Sequence, residues 1–164
     1  MNNLTTLLLI LFSIMGYSQQ MTVVQLKTGG LFFEVEHEFN FGKKKSNGGL
    51  ELYIGPQSKK TLINGLKKTL EWMSINSREQ LSFKKEVVRF SAMSKYKYKN
   101  FGYSSQFVEE IKLIFIGKDD GSSEIQIYQD SLSKLTLDNV NDVEGLINIL
   151  SGKSGTPEID RIFK

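Results

Sequence analysis

The spacing of hydrophobic and polar positions changes several times along the chain, and each change marks a new element. Leu31 to Phe41 alternates strictly. Leu31, Phe33, Val35, His37, Phe39 and Phe41 share one side, and Phe32, Glu34, Glu36, Glu38 and Asn40 the other. Successive side chains of a strand point to opposite faces, so this pattern predicts a half-buried strand. Met21 to Lys27 leads into it through Gly29-Gly30, a hairpin turn. Leu50 to Ile54 alternates again, after a basic, glycine-rich loop from Gly42 to Gly49. The period then becomes helical: Leu62, Ile63, Leu66, Leu70 and Met73 form one apolar stripe, with Lys59, Lys60, Lys67 and Lys68 off it. Pro56 and Ser58 supply the start signals. Trp72, near the edge of the stripe, is expected to pack in the core.

The second half repeats this order. Glu86 to Met93 and Phe107 to Ile116 read as strands, and Asp119-Asp120-Gly121 turns into a third at Glu124 to Tyr128. Leu132 to Leu137 reads as a short fourth. Val143, Leu146, Ile147 and Leu150 then mark a helix, with capping-box spacing at Asn141 and Glu144 and Gly152 past its end. Thr156-Pro157-Glu158 is placed to start a last short helix, with Ile159, Ile162 and Phe163 docking on the body. Strands in runs with segregated helices predict an α+β fold. The sheet is antiparallel, of about six or seven strands, with two main helices packed on it. Leu52-Tyr53-Ile54 before Leu62-Ile63 matches Leu135-Thr136-Leu137 before Leu146-Ile147, so a duplicated strand-strand-strand-helix unit is one reading. In architecture alone this plan loosely resembles single-strand-binding folds with four strands and a helix per unit.

The N-terminus changes the picture of where the protein works. Leu7 to Met15 is an uncharged apolar run, and no charged residue precedes Lys27. The run is too short to span a bilayer, which takes about 20 residues, and has the length of a signal-peptide core. Gly16-Tyr17-Ser18 places small residues three and one before Gln19, as a signal peptidase requires, although Met1-Asn2-Asn3 lacks the usual Lys or Arg. The expectation is a signal peptide over 1–18 and a single α+β domain over 19–164 with a short C-terminal tail, 151–164. The product is then periplasmic or extracellular, has no integral membrane span, and has nucleic acid as a disfavoured partner.

Composition removes most chemistry. The absence of Cys excludes disulfides, Cys-ligated zinc, iron–sulfur clusters and thiol catalysis, and a single His excludes two-His metal motifs. That residue, His37, is placed by the alternation on the face opposite Glu36 and Glu38, so the three do not converge. Ser151 to Thr156 contains Gly-Lys-Ser. However, Gly145 lies too far from Gly152 for a phosphate loop, and the preceding element is a helix rather than a strand. Asp119 to Glu124 lacks EF-hand spacing. Glu34, Glu36 and Glu38 form an acidic row suited to pairing with lysines. No catalytic residue, metal or cofactor is read from the sequence. An enzyme, if this is one, would be a small metal-independent hydrolase using two carboxyl groups that face each other in a cleft.

Charge is uneven. Residues 19–104 hold 15 Lys+Arg against 7 Asp+Glu, and residues 105–164 hold 6 against 11. This suits either a polyanion-binding surface or two halves that attract each other. Within the basic part, Lys95, Tyr96, Lys97, Tyr98, Lys99, Phe101 and Tyr103 alternate cations with rings. In an extended conformation the lysines would share one face and Tyr96 and Tyr98 the other. Rings stack on bases or sugar faces, and ammonium groups meet phosphate, sulfate or carboxylate. These seven residues are the candidate ligand-binding site. Their expected partner is an acidic glycan, another polyanion or an acidic envelope protein. The function expected is that of an exported, non-enzymatic binding module. A single-stranded nucleic-acid binder is the alternative if the N-terminus is not cleaved.

Overall fold

The computed structural model describes residues 7–14, 17–41, 44–130 and 133–153, with the backbone alone for 7–20, 37–41 and 44–48. In chain order the elements are β1 (Leu7–Ile14), β2 (Tyr17–Gln25), β3 (Leu31–Phe41), β4 (Lys44–Ile54), α1 (Pro56–Glu79) and β5 (Phe83–Ser94). Then follow α2 (Lys95–Phe101), a 3₁₀ turn (Ser105–Phe107), β6 (Val108–Gly117), β7 (Ser123–Tyr128), β8 (Lys134–Leu137) and α3 (Val140–Leu150). The strands form one antiparallel sheet in sequential order from β1 to β8. The fold is α+β. Seven of the eight strands follow residues 7–14, which pair with β2 as an edge strand. Cleavage after Ser18 would leave those seven.

The alternation read in β3 is real where side chains are described: Leu31, Phe33 and Val35 are buried, and Leu50, Leu52 and Ile54 of β4 join them. The side chains of His37, Phe39 and Phe41 lie outside the described residues, as does the tail from Ser154, including the expected last helix. The glycine-rich segment before Leu50 is strand rather than loop, with β4 pairing with β3 back to Lys44. Gly49 permits this, because a Cβ there would lie 1.9 Å from the Val35 carbonyl oxygen.

The two halves of the sheet meet at a narrow join. β4 pairs with β5 only through Leu52–Ser94 and Tyr53–Met93, whereas β5 pairs with β6 from Phe83 to Met93. α1 packs on β5, β6 and β7 and against α3, which reaches β2. Leu62, Leu66 and Met73 of α1 and Val143, Leu146 and Leu150 of α3 enter one apolar cluster with both halves of the sheet. Trp72 is half-buried at the margin of that cluster, its ring edge-on to Phe115 at 5.5 Å.

Polar side chains tie the ends of α1. The Gln25 amide donates to the Ile149 carbonyl at 2.9 Å and accepts from Lys59 Nζ at 3.3 Å, joining β2, α3 and the start of α1. At the other end, buried Asn76 donates through Nδ2 to the carbonyls of Lys118 and Ser122, and its Oδ1 accepts from Leu81 N. Two expected caps are displaced. Gly55, not Ser58, precedes the first turn of α1, with Pro56 as its first residue. Asn139, not Asn141, caps α3, its Oδ1 accepting from Asp142 N at 2.9 Å.

Candidate ligand-binding site

The stretch expected to be extended is helical from Lys95 to Phe101. It ends at Gly102, whose φ of 69° and N–H bond to the Tyr98 carbonyl close the last turn. No β-branched residue, Pro or Gly interrupts it. The period of two suggested by alternating Lys and Tyr is therefore not the period in space. On a helix, residues two apart fall on nearly opposite sides and residues four apart on the same side. Lys95 and Lys99 accordingly share a side, their Nζ atoms 5.9 and 5.6 Å from the Phe32 ring. Lys97 turns away to Glu109 at 3.3 Å and lies 5.6 Å from the Phe107 ring.

The lysines do not form one cationic face. Lys95 Nζ sits 2.5 Å from Glu34 Oε2, so part of the acidic row of β3 serves to hold α2. Glu109 bridges Lys97 and the Gln129 amide. Lys99 makes no ion pair among the described residues.

The aromatic rings divide in the same way. Tyr98 turns inward and stacks on Tyr53 with ring centroids 3.8 Å apart and an interplanar angle of 13°. Phe32 meets both edge-on, at 6.1 Å from Tyr53 and 5.6 Å from Tyr98. Burial raises the Tyr53 phenol above its ordinary pKa, and the charge and hydrogen bond of Tyr98 add to this, with a smaller contribution from Tyr103. Tyr96, Phe101 and Tyr103 point outward and are 69%, 65% and 64% exposed. Phe101 tilts against Phe107 at 5.5 Å, and Tyr103 lies edge-on to Tyr53 at 6.4 Å.

Beside Tyr103 opens a cleft of about 310 Å³, lined by Tyr53, Pro56, Ser58, Ser91, Met93 and Val108 among others. It lies where β4 ends, α1 begins and β5 joins the other half of the sheet. Its walls are mainly apolar and aromatic. Polar groups come from Ser58, Ser91 and the first turn of α1, whose N–H groups have no partner within the helix. That turn contains no acidic residue.

The structure thus brings Tyr98 and Tyr103 of the sequence candidates to one site, places Tyr96 and Phe101 on its outer face, and assigns Lys95 and Lys97 to ion pairs. Tyr53, Phe32 and the cleft are not found by reading the stretch itself. Phe32 carried a signal, as an aromatic residue on the strand side otherwise occupied by Glu34, Glu36 and Glu38. It lies opposite Tyr53 in the β3–β4 register. Among the described residues no carboxylate lines this cleft or the one at Trp72, toward the other end of α1. Among the described residues no group of three or more His, Asp or Glu could hold a metal ion, and no helix is long and apolar enough to cross a membrane. No known protein family matches the chain, and neither a curated protein nor a solved structure shows significant similarity to it.

Proposed function

We propose that the protein is an exported, non-enzymatic binding module whose ligand face is α2 with the adjoining cleft, and that its ligand is a glycan of acidic character. The observation that carries this reading is the exposed Tyr103 ring on a cleft walled by Tyr53, with the exposed Tyr96 and Phe101 on the adjoining helix α2. Large rings left in water on a short, anchored helix are costly unless they have a use, and flat apolar rings with a polar edge suit sugar faces. Lys99 and the first turn of α1 supply the positive side of the site. Because Lys95 and Lys97 are engaged by Glu34 and Glu109, stacking contributes more than charge. The leader-like N-terminus supports a ligand in the envelope or outside the cell.

The test is binding of the secreted chain to immobilised acidic and neutral glycans, compared with the triple variant Tyr96→Ala, Phe101→Ala, Tyr103→Ala. At about 1 kcal/mol per ring, the variant should lose about a hundredfold in affinity. Unchanged binding by the variant would refute the assignment.

A second reading has one observation in its favour. With residues 7–14 retained, β1 to β4 lead into α1 and β5 to β8 into α3, four strands before each of the two longer helices, with the short α2 between β5 and β6. This is the plan of single-strand-binding folds, and the same rings would then stack on bases. Intact mass separates the two readings: residues 19–164 in the periplasm or medium favours the glycan binder, and the full chain in the cytoplasm favours the nucleic-acid binder.

A further inference from the structure

A second surface lies toward the far end of α1, about 27 Å along the helix axis from Ser58. There Trp72, Ile75, Leu81, Phe83 and Lys85, with Asn76 at the base, line a cleft of about 240 Å³. Ile75, Leu81 and Phe83 are 45%, 54% and 36% exposed, so the cleft is an open apolar patch rather than a sealed cavity. Lys68 and Lys85 stand on its rim, their Nζ atoms 5.2 and 5.3 Å from the Trp72 ring.

The same patch borders an open strand edge. Because β4 reaches β5 only at Met93 and Ser94, the residues from Phe83 to Ala92 have β6 on one side and no described strand on the other. Phe83 to Glu86 are exposed along their whole length. Such an edge presents free N–H and C=O groups to any strand that can approach. Two features restrict what can approach. The register shifts between Glu86 and Val88, and Lys84, Lys85 and Arg89 place cations along the edge. Arg89 is occupied by Glu86 and Glu110. Lys68, Lys84 and Lys85 make no ion pair among the described residues and are left to meet an incoming charge. The edge therefore repels a copy of itself and accepts an acidic strand.

We infer that the β5 edge and the Trp72 cleft form one docking surface for an extended acidic segment of a partner protein. The segment adds as a strand beside Phe83–Phe90, seats an apolar side chain against Trp72 and Phe83 on the face shared with Lys85, and sets carboxylates beside Lys84 on the other face, with Lys68 and Lys85 adding positive potential at the rim. This inference is independent of the glycan reading, because the Trp72 cleft and the Tyr53 cleft lie toward opposite ends of α1 and share no lining residue.

Trp72 is the only tryptophan, so its fluorescence reports on the site directly. The probe is the peptide acetyl-Glu-Val-Glu-Ile-Glu-Val-Glu-Ile-amide, titrated into the full chain beside the same peptide with Lys for Glu. The acidic peptide should give a saturable change in Trp72 emission below about 1 mM and slow the amide exchange of Glu86 to Phe90. The basic peptide should do neither. Lys84→Glu with Lys85→Glu should weaken the acidic peptide at least tenfold without moving the unfolding midpoint. Leu81→Asp, at an exposed position, provides a second variant with the same expected loss. No saturable change, equal binding of both peptides, or protection away from β5 would overturn the inference. So would a concentration-dependent dimer that protects these amides without peptide, since the edge would then belong to a second copy.

Discussion

Asn76 is buried at the end of α1 and satisfies three backbone groups at once: the carbonyls of Lys118 and Ser122 and the N–H of Leu81. Replacing it with Leu keeps the branched four-atom shape of the side chain and removes all three partners. An unpaired buried polar group costs about 1–3 kcal/mol, and some of these groups will find water. Asn76→Leu should therefore lose about 3 kcal/mol in urea unfolding followed by Trp72 fluorescence. A loss below 1 kcal/mol would mean the latch is not a major tie. Gly65 behaves against its type. Gly→Ala inside a helix ordinarily stabilises by about 1 kcal/mol. Here a Cβ would lie 2.6 Å from Val88 Cγ2 and 2.8 Å from Leu113 Cδ2. Val88 is too stiff to give way easily, so Gly65→Ala should lower stability by about 1–2 kcal/mol in the same assay.

Tyr53 sets a pH dependence at the site. Its phenol is raised above 10.0 chiefly by burial, so between its unfolded and folded values the native state keeps a proton that the unfolded chain has released. Stability from this group is complete below about pH 10 and falls as pH rises through the folded value. The urea midpoint should drop as pH rises above about 10, and Tyr53→Phe should remove part of that slope. The same slope in both proteins would assign it to lysine deprotonation instead.

At the scale of elements, legibility follows from whether an element's period is its burial period. β3 and α1 were readable because Leu31, Phe33 and Val35, or Leu62, Leu66 and Met73, mark directly the side that meets the core. α2 was not, because it has no buried residue and no apolar stripe. Its partners Phe32, Glu34 and Tyr53 come from strands far along the chain, and alternating Lys and Tyr imitates a strand. The cap of α3 was misplaced by two residues because Asn139 and Asn141 are chemically equivalent candidates. Only the fold selects the one whose side chain meets the N–H three residues on. Asn139→Ala should accordingly cost about 1 kcal/mol, and Asn141→Ala little, in thermal or urea unfolding. An equal cost would contradict the observed cap.

For the whole molecule, part of the charge asymmetry is met within the fold at one boundary. Lys97 and Arg89 of the basic part meet Glu109 and Glu110 of the acidic part. These pairs are partly exposed and contribute little to stability, but the Lys97 pair helps to position α2. The lysines alone therefore matter less to ligand binding than the alternating sequence implied. Lys95→Ala with Lys97→Ala should weaken glycan binding less than tenfold, against about a hundredfold for the three rings.

The central claim, that α2 and its cleft form the ligand face, is tested most directly by mapping backbone amide shifts of residues 19–164 during titration with an oligomer of galacturonic acid. Shifts should concentrate from Tyr96 to Tyr103, at Gln57 and Ser58, and across Ser91 to Met93, and be absent in the triple ring variant. Shifts elsewhere, or none at millimolar oligomer together with strong shifts on adding single-stranded DNA, would contradict it.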